Sequence, residues 1–98
     1  MIKHIVFFKF KNTEDKVSQM QAIKSELEKL PAIIAELREI HVGLNVNPAE
    51  KWDLSLEALV EDMHDLEVYA NHPAHQQIVK TMIAPIKEDR ACVDYQIG

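Results

Sequence analysis

Cysteine and glycine are scarce in this chain of 98 residues. Cys92 is the only cysteine, so no disulfide can form within the chain. No cysteines and histidines have the spacing of a structural zinc site. A chain of this length buries only ~60–65% of the surface that its unfolded form exposes, so its own core is thin. Residues 1–98 are therefore expected to form one domain that is supported by association with another chain.

Long hydrophobic runs are also absent. The apolar run from Ile5 to Phe8 is too short for a signal peptide, whose hydrophobic region has ~7–15 residues. No segment approaches the ~20 apolar residues of a membrane span. Together with the single free cysteine, this predicts a cytoplasmic protein that does not enter membranes. The net charge of −5 and the scattered basic residues argue against nucleic-acid binding.

The first segment, Ile2 to Phe10, is rich in β-branched and aromatic residues and predicts a strand. Val6 and Phe8 lie on one side of this strand, and Ile5 lies on the other. Both faces are therefore apolar at the centre, whereas a strand with one face in water alternates between apolar and polar residues. The pattern indicates a sheet that is covered on both sides.

Residues 12–15, Asn-Thr-Glu-Asp, predict the start of a helix, because a capping side chain is followed by acids. An apolar stripe at three- and four-residue spacing then continues to about Leu30. Residues 38–46 and 52–60 alternate between apolar and polar residues and predict two further strands.

The second half of the chain repeats the helix–strand sequence once more. Asp62 is expected to cap a second helix, and His72 is expected to cap its restart at Pro73. Pro85 is expected to end that helix, and residues 91–97 alternate as a last strand. The order β-α-β-β-α-β predicts an α+β domain of the ferredoxin-like fold.

Helices cover only one face of the sheet in this fold, so the other apolar face needs a partner. A second copy of the chain is the simplest partner, and the prediction is a homodimer in which two sheets close into a barrel. The interface is assigned to apolar strand residues, four of which are also expected to line a pocket: Val6, Phe8, Leu54 and Leu56, with Val42 and Leu44 at the interface alone.

Three stretches carry a resemblance to a known family. They are residues 2–11 (IKHIVFFKFK), residues 69–75 (YANHPAH) and residues 93–95 (VDY). Together with the element order and the length, they resemble the stress-responsive A/B barrel (Dabb) family. The resemblance implies a dimeric α+β barrel, which agrees with the sheet whose faces are both apolar.

The resemblance also implies candidate catalytic residues. A plant polyketide cyclase similar to this family uses a histidine and a tyrosine for acid–base work and needs no cofactor. By position, His75 matches that histidine, Tyr69 matches that tyrosine, and His4 matches a further histidine of the pocket. The cyclase has another pocket histidine where this chain has Leu54, so the polar lining here is thinner.

The chemistry of these residue types fits the implied role. Imidazole titrates near neutral pH, so His75 can abstract a proton from a carbon next to a carbonyl group. Tyr69 can orient that base or donate a hydrogen bond to the developing oxyanion. Two alternatives stay open for His75: a polar group that lines a pocket without catalysing a reaction, or a satisfied core residue. In the structural alternative, Tyr69 fills space and places its hydroxyl on a backbone carbonyl.

Three functions follow from these readings. The first is a homodimeric barrel that binds a small, largely apolar molecule, with cofactor-independent chemistry like that of a cyclase or lyase. The second is a non-catalytic stress-response or structural protein with a solidly packed barrel, and the third is a cofactor-free monooxygenase. The volume of the cavity distinguishes the first function from the second, because a ligand site needs ~300 Å³ or more. No metal or organic cofactor is expected, because the sequence contains neither a ligand set nor a phosphate-binding loop.

Overall fold

A computed structural model describes residues 1–98 as a four-stranded sheet with three α-helices. A 3₁₀ turn, Leu30–Ala32, follows the first helix, and a π-helical turn, Val79–Ile83, follows the third. The strands are β1 (Ile2–Phe10), β2 (Leu37–Leu44), β3 (Leu54–Val60) and β4 (Lys87–Gln96), and the helices are α1 (Lys16–Glu28), α2 (Met63–Asn71) and α3 (Pro73–Ile78).

The sheet is antiparallel, and its strands lie in the order β2-β3-β1-β4. β1 is therefore paired on both sides, and β2 and β4 form the two edges. The predicted order β-α-β-β-α-β and the ferredoxin-like α+β fold are confirmed. No helix has both the length and the apolar character that crossing a membrane requires.

The face of the sheet that packs against the helices differs from the predicted arrangement. Burial alternates along β3, where Leu54, Leu56, Ala58 and Val60 are buried and the residues between them are less so. The even-numbered apolar residues of β1, together with Ile40 and Val42 of β2, are buried with them in one core that also includes Ile23 and other residues of the helices. This single core fills the space between the sheet and the helices.

The residues assigned to the dimer interface therefore lie on the wrong face. All six belong to the helix-covered side: Val6, Phe8, Val42, Leu54 and Leu56 are buried in the core, and Leu44 packs against it. The open face carries the alternate residues instead. The apolar ones among them form a strip along β1, β4 and the neighbouring strand β3: Ile5, Phe7, Leu59, Ala91, Val93 and Tyr95.

The boundaries of several elements differ from the predicted ones. α1 begins at Lys16, and its N-cap Asp15 makes no side-chain capping bond, because the Asp15 carboxylate accepts the Thr13 hydroxyl instead. β2 ends at Leu44, which leaves Val46 outside the strand. Trp52 lies before β3, and its ring is 6.0 Å from that of Phe7.

β4 is longer than the predicted strand, because it begins at Lys87 rather than at residue 91. Its pairing with β1 shifts register between Lys9 and Phe10, where Lys9 pairs with Asp89 but Phe10 pairs with Lys87. Such a bulge places an extra residue in one strand and changes the direction of the side chains around it. Charged residues occupy this part of β4, which explains why alternation of apolar residues did not reveal it.

Candidate functional site

A cavity of about 470 Å³ lies between the helix-covered face of the sheet and the segment formed by α2, α3 and the π-helical turn. All three candidate catalytic residues, His4, Tyr69 and His75, line it. Of the predicted pocket residues, Val6, Phe8 and Leu56 also line this cavity. Leu54 does not, because it borders a separate hollow near Phe7 and Trp52.

The break between α2 and α3 positions the polar side of this cavity. His72 ends α2 and caps α3, and its Nδ1 accepts a hydrogen bond from the Ala74 amide at 3.0 Å. The predicted caps at Asp62 and His72 are thus confirmed. Because Ala74 donates to the cap, it does not donate to the Ala70 carbonyl, as a continuous helix would require. The break therefore leaves the Ala70 carbonyl available to side chains.

His75 uses that carbonyl. Its Nδ1 lies 3.0 Å from the Ala70 oxygen, which also accepts a hydrogen bond from the side-chain Nε2 of Gln76 at 2.6 Å. A carbonyl can only accept, so Nδ1 carries the proton, and in the neutral ring Nε2 holds the free lone pair. Burial lowers the pKa of His75, and the hydrogen bond to Ala70 opposes this only in part. His75 is therefore a neutral imidazole near pH 7, which is the form that a general base needs.

Tyr69 lies against this imidazole, with ring centroids 4.4 Å apart. The side chain is 1% exposed, and its buried hydroxyl has no hydrogen-bond partner within the chain. Burial raises the pKa of the phenol, while the charge of Arg90 opposes the shift, so the group stays protonated. A buried donor without a partner costs about 1–3 kcal/mol. The hydroxyl is a donor that a bound oxygen atom would satisfy, and its lack of a partner argues against the structural alternative, in which it donates to a backbone carbonyl.

His4 lies on β1, and its ring centroid is 6.2 Å from that of Tyr69. Its Nδ1 lies 2.5 Å from a carboxylate oxygen of Asp94. The carboxylate accepts the Nδ1 proton, which fixes the ring orientation and leaves Nε2 without a partner in the chain. Cys92 lies beside the pair, with Sγ 3.5 Å from Nδ1 of His4.

The side chain of Cys92 is exposed and lines the cavity. Burial of its sulfur and the nearby charge of Asp94 raise the pKa of the thiol. The thiol is therefore poorly suited to act as a nucleophile. The donor atoms of His4, Cys92 and Asp94 all lie within 4.8 Å of one another, which makes them the group most capable of holding a metal ion. A closed zinc site has four ligands, and in this structure His4 and Asp94 bind each other.

The contribution of β4 to the site was not predicted from the sequence. Lys87, Arg90, Cys92 and Asp94 all line the cavity. Their role depends on the pairing of β4 with β1, in which His4 faces Asp94. The only signal in the sequence is the alternation around Val93, which places Cys92 and Asp94 on one face but does not say which face the helices cover.

Comparison with known proteins identifies the family. The model of the stress-responsive A/B barrel domain matches residues 2–97. The chain belongs to this family. The resemblance seen in the sequence is thereby confirmed. An A/B barrel domain protein of Arabidopsis thaliana, named for the stress response, is 30% identical over 99 residues, which cover 97% of this chain and 36% of that protein. The chain thus spans about a third of the length of this relative.

Solved structures of similar proteins confirm the fold of this A/B barrel domain. A dimeric protein of unknown function with a ferredoxin-like fold from Bacteroides fragilis is 42% identical, with a TM-score of 0.92 over 98% of this chain and 95% of that chain. A hydroxynitrile lyase from Passiflora edulis is 22% identical, with a TM-score of 0.82 over 99% of this chain and 93% of that chain. At that level of identity the likeness shows the fold alone.

Proposed function

We propose that this A/B barrel domain is a homodimer in which each chain binds a small, largely apolar carbonyl compound and moves a proton on it. His75 is the general base, Tyr69 is the hydrogen-bond donor to the carbonyl oxygen, and His4 is a further polar contact. The chemistry uses no metal and no organic cofactor.

The observation that carries this proposal is the buried hydroxyl of Tyr69, which has no partner and lies against a neutral His75 in a cavity. The cavity volume of about 470 Å³ exceeds the ~300 Å³ of a small-molecule site. This volume argues against a solidly packed interior. Apolar side chains make up most of the wall, which favours a ligand with few polar groups.

The proposed step begins with a C–H bond next to the ligand's carbonyl group. Nε2 of His75 takes the proton, and the electron pair of that bond moves toward the carbonyl oxygen as an enolate. The Tyr69 hydroxyl donates a hydrogen bond to this oxygen and so stabilises the developing charge. The enolate carbon then bonds to a second carbonyl carbon of the ligand, and the imidazolium gives its proton to the new alkoxide oxygen. In a ligand with a leaving group on the neighbouring carbon, the bond to that group breaks instead, and the departing group takes the proton. Every proton removed is thus restored, and no oxidant is needed.

The homodimer is supported by the open face of the sheet. Phe7, Val93 and Tyr95 are 37%, 53% and 43% exposed on that face. The relative from Bacteroides fragilis, which is described as dimeric, supports the same conclusion. The hydroxynitrile lyase contributes only an analogy, because its name shows that the fold can house a lyase. The cytoplasmic location and the monooxygenase alternative stay predictions, and oxygen uptake with phenolic substrates would test the latter.

Hydrogen–deuterium exchange at the carbon between the two carbonyl groups of β-keto esters with short alkyl chains tests the proton-transfer step. His75→Gln keeps an amide that can donate to Ala70 but removes the base, so the rate should fall by ~10²-fold or more. Tyr69→Phe keeps the ring and should impair the same reaction, and the double variant should add little more. The exposed His41 supplies the matched control, because His41→Gln should leave the rate unchanged. A His75→Gln variant as active as the parent, with an unchanged melting curve, would refute the role of the base.

A further inference from the structure

We infer that the ligand of the cavity carries a carboxylate, which Lys87 and Arg90 bind at the mouth. The inference rests on the proposed function and names the ligand class, an oxo acid with an apolar tail. Both cations line the cavity and are exposed on the edge strand β4.

The bulge in β4 brings these two cations to one face. In a regular strand, residues whose numbers differ by an odd count point to opposite faces, so Lys87 and Arg90 would be separated. The register shift pairs Lys87 with Phe10 and Arg90 with Phe8. Phe8 and Phe10 are both buried on the helix-covered face. The bulge thus places Lys87 beside Arg90 on the cavity side, and bulges of this kind often direct side chains toward a site.

Both cations also lack a carboxylate partner, although the chain carries more acids than bases. The two acids between them in sequence are occupied elsewhere, since Glu88 pairs with Lys9 at 2.7 Å and Asp89 pairs with Lys51 at 3.0 Å. Lys87 and Arg90 form no ion pair. Asp94, the acid of β4 that lines the cavity with them, is bound to His4.

The charge of Arg90 acts inside the cavity and not only at its rim. Burial is the main cause of the altered pKa of both Tyr69 and His75. The positive charge of Arg90 lowers both pKa values. It opposes the effect of burial on the Tyr69 phenol and reinforces the effect of burial on the His75 imidazole. Arg90 also lines the same cavity as these two groups, and its position opposite Phe8 places it on the helix-covered face. A planar guanidinium can bind a carboxylate through two parallel hydrogen bonds.

The whole cavity is thus amphipathic, with an apolar interior and a cationic mouth. A carboxylate at Arg90 and Lys87 would leave the apolar tail among the core side chains. A keto group between the two ends would lie within reach of Tyr69 and His75. An oxo acid satisfies both the cations and the buried hydroxyl, whereas a neutral hydrocarbon satisfies neither.

Calorimetric titration with two probes of equal chain length, octanoate and octanol, tests this inference on the intact protein. Hydrogen bonds to charged groups have enough strength for octanoate to bind about tenfold more tightly or better. Arg90→Gln and Lys87→Gln should each remove most of that preference and leave octanol binding unchanged. Lys51→Gln is the matched control, because Lys51 is an exposed cation paired with Asp89, and it should keep the full preference.

The outcomes separate this inference from the proposed function. Equal binding of both probes, or a preference that survives in the double Lys87→Gln, Arg90→Gln variant, would overturn the carboxylate site and leave the apolar site intact. Binding of neither probe would overturn the cavity as a ligand site altogether. Melting curves of each variant exclude misfolding as the cause, since both cations are exposed.

Discussion

His4 and His75 line one cavity, but a different kind of acceptor holds each ring. The Asp94 carboxylate holds Nδ1 of His4, and the Ala70 carbonyl holds Nδ1 of His75. In the neutral ring of His75 the lone pair is on Nε2. The acceptor of His75 carries no net charge, so it only partly offsets the burial that disfavours the imidazolium form. His75 is thus the histidine that the structure equips as a base.

The lowered pKa of His75 predicts how the protein responds to acid. An ordinary histidine takes up its proton near pH 6.5, and the unfolded chain does so before the folded one. The contribution of the neutral His75 ring to the free energy of unfolding is thus complete above about pH 6.5. It is lost as the pH falls toward the lower pKa that His75 has in the folded state. His75→Gln should therefore show a smaller drop in melting temperature between pH 7 and 5 than the parent protein.

His41→Gln is the control for this measurement, because His41 is exposed and should leave the acid sensitivity unchanged. A direct NMR titration of the His75 ring gives the same information without a variant. A midpoint at or above that of a model peptide would contradict the effect of burial.

Some residues of the site could be predicted from the sequence and others could not. Tyr69 and His75 came from the family resemblance, since their meeting depends on a helix break that spacing alone does not describe. The break itself was predictable, because His72 precedes Pro73. The role of Asp94 was not predictable, because its contact with His4 joins two strands from opposite ends of the chain.

Among the elements, the short helix α3 depends most on a single cap. It has six residues, and its N-cap His72 supplies the acceptor for the Ala74 amide through Nδ1. Helices this short are not stable alone, so the cap and the packing of Ile78 hold it in place. Because His75 lies in the first turns of α3, the cap also fixes the base.

Loss of this cap should therefore destabilise the fold measurably. His72→Ala is expected to cost about 1 kcal/mol of unfolding free energy, which corresponds to a fall of about 4–8 °C in melting temperature for a domain of this size. His72→Asn should retain most of the stability, because its side-chain oxygen can accept the same hydrogen bond. Equal melting temperatures for His72→Ala and the parent would show that the hydrogen bond contributes nothing.

The strands show why the sequence predicted the sheet but assigned its faces wrongly. Alternation divides β1 into two sets, and both are apolar at the centre, with Val6 and Phe8 in one and Ile5 and Phe7 in the other. A period of two residues defines the sets but does not say which one the helices cover. β3 settles the question in the structure, because only one of its faces is fully buried, the face that carries Leu54, Leu56, Ala58 and Val60.

On the scale of the whole molecule, one face of the sheet is filled and the other is open. The helices cover the first face with a single core of 20 buried residues. The second face keeps an apolar strip on β1 and β4 that includes Phe7, Val93 and Tyr95. An exposed strip of this kind indicates a site of association, and a stable association between two copies should bury more than about 1,200 Å² in total.

Charges placed on the two faces should therefore have different effects. Val93→Lys lies on the open face, where the parent side chain is 53% exposed, so one chain tolerates it while two packed sheets do not. It should shift the protein from dimer to monomer in sedimentation equilibrium at micromolar concentration. Leu56→Lys lies in the core and should unfold the chain, because an unpaired buried charge is strongly destabilising. The two variants therefore distinguish loss of association from loss of folding. A charge at Val6, Phe8 or Leu56, the residues first assigned to the interface, would unfold the chain and could not report on association.

A Val93→Lys protein that stays dimeric would rule out the open face as the interface. A parent protein that sediments as a folded monomer would rule out the dimer itself.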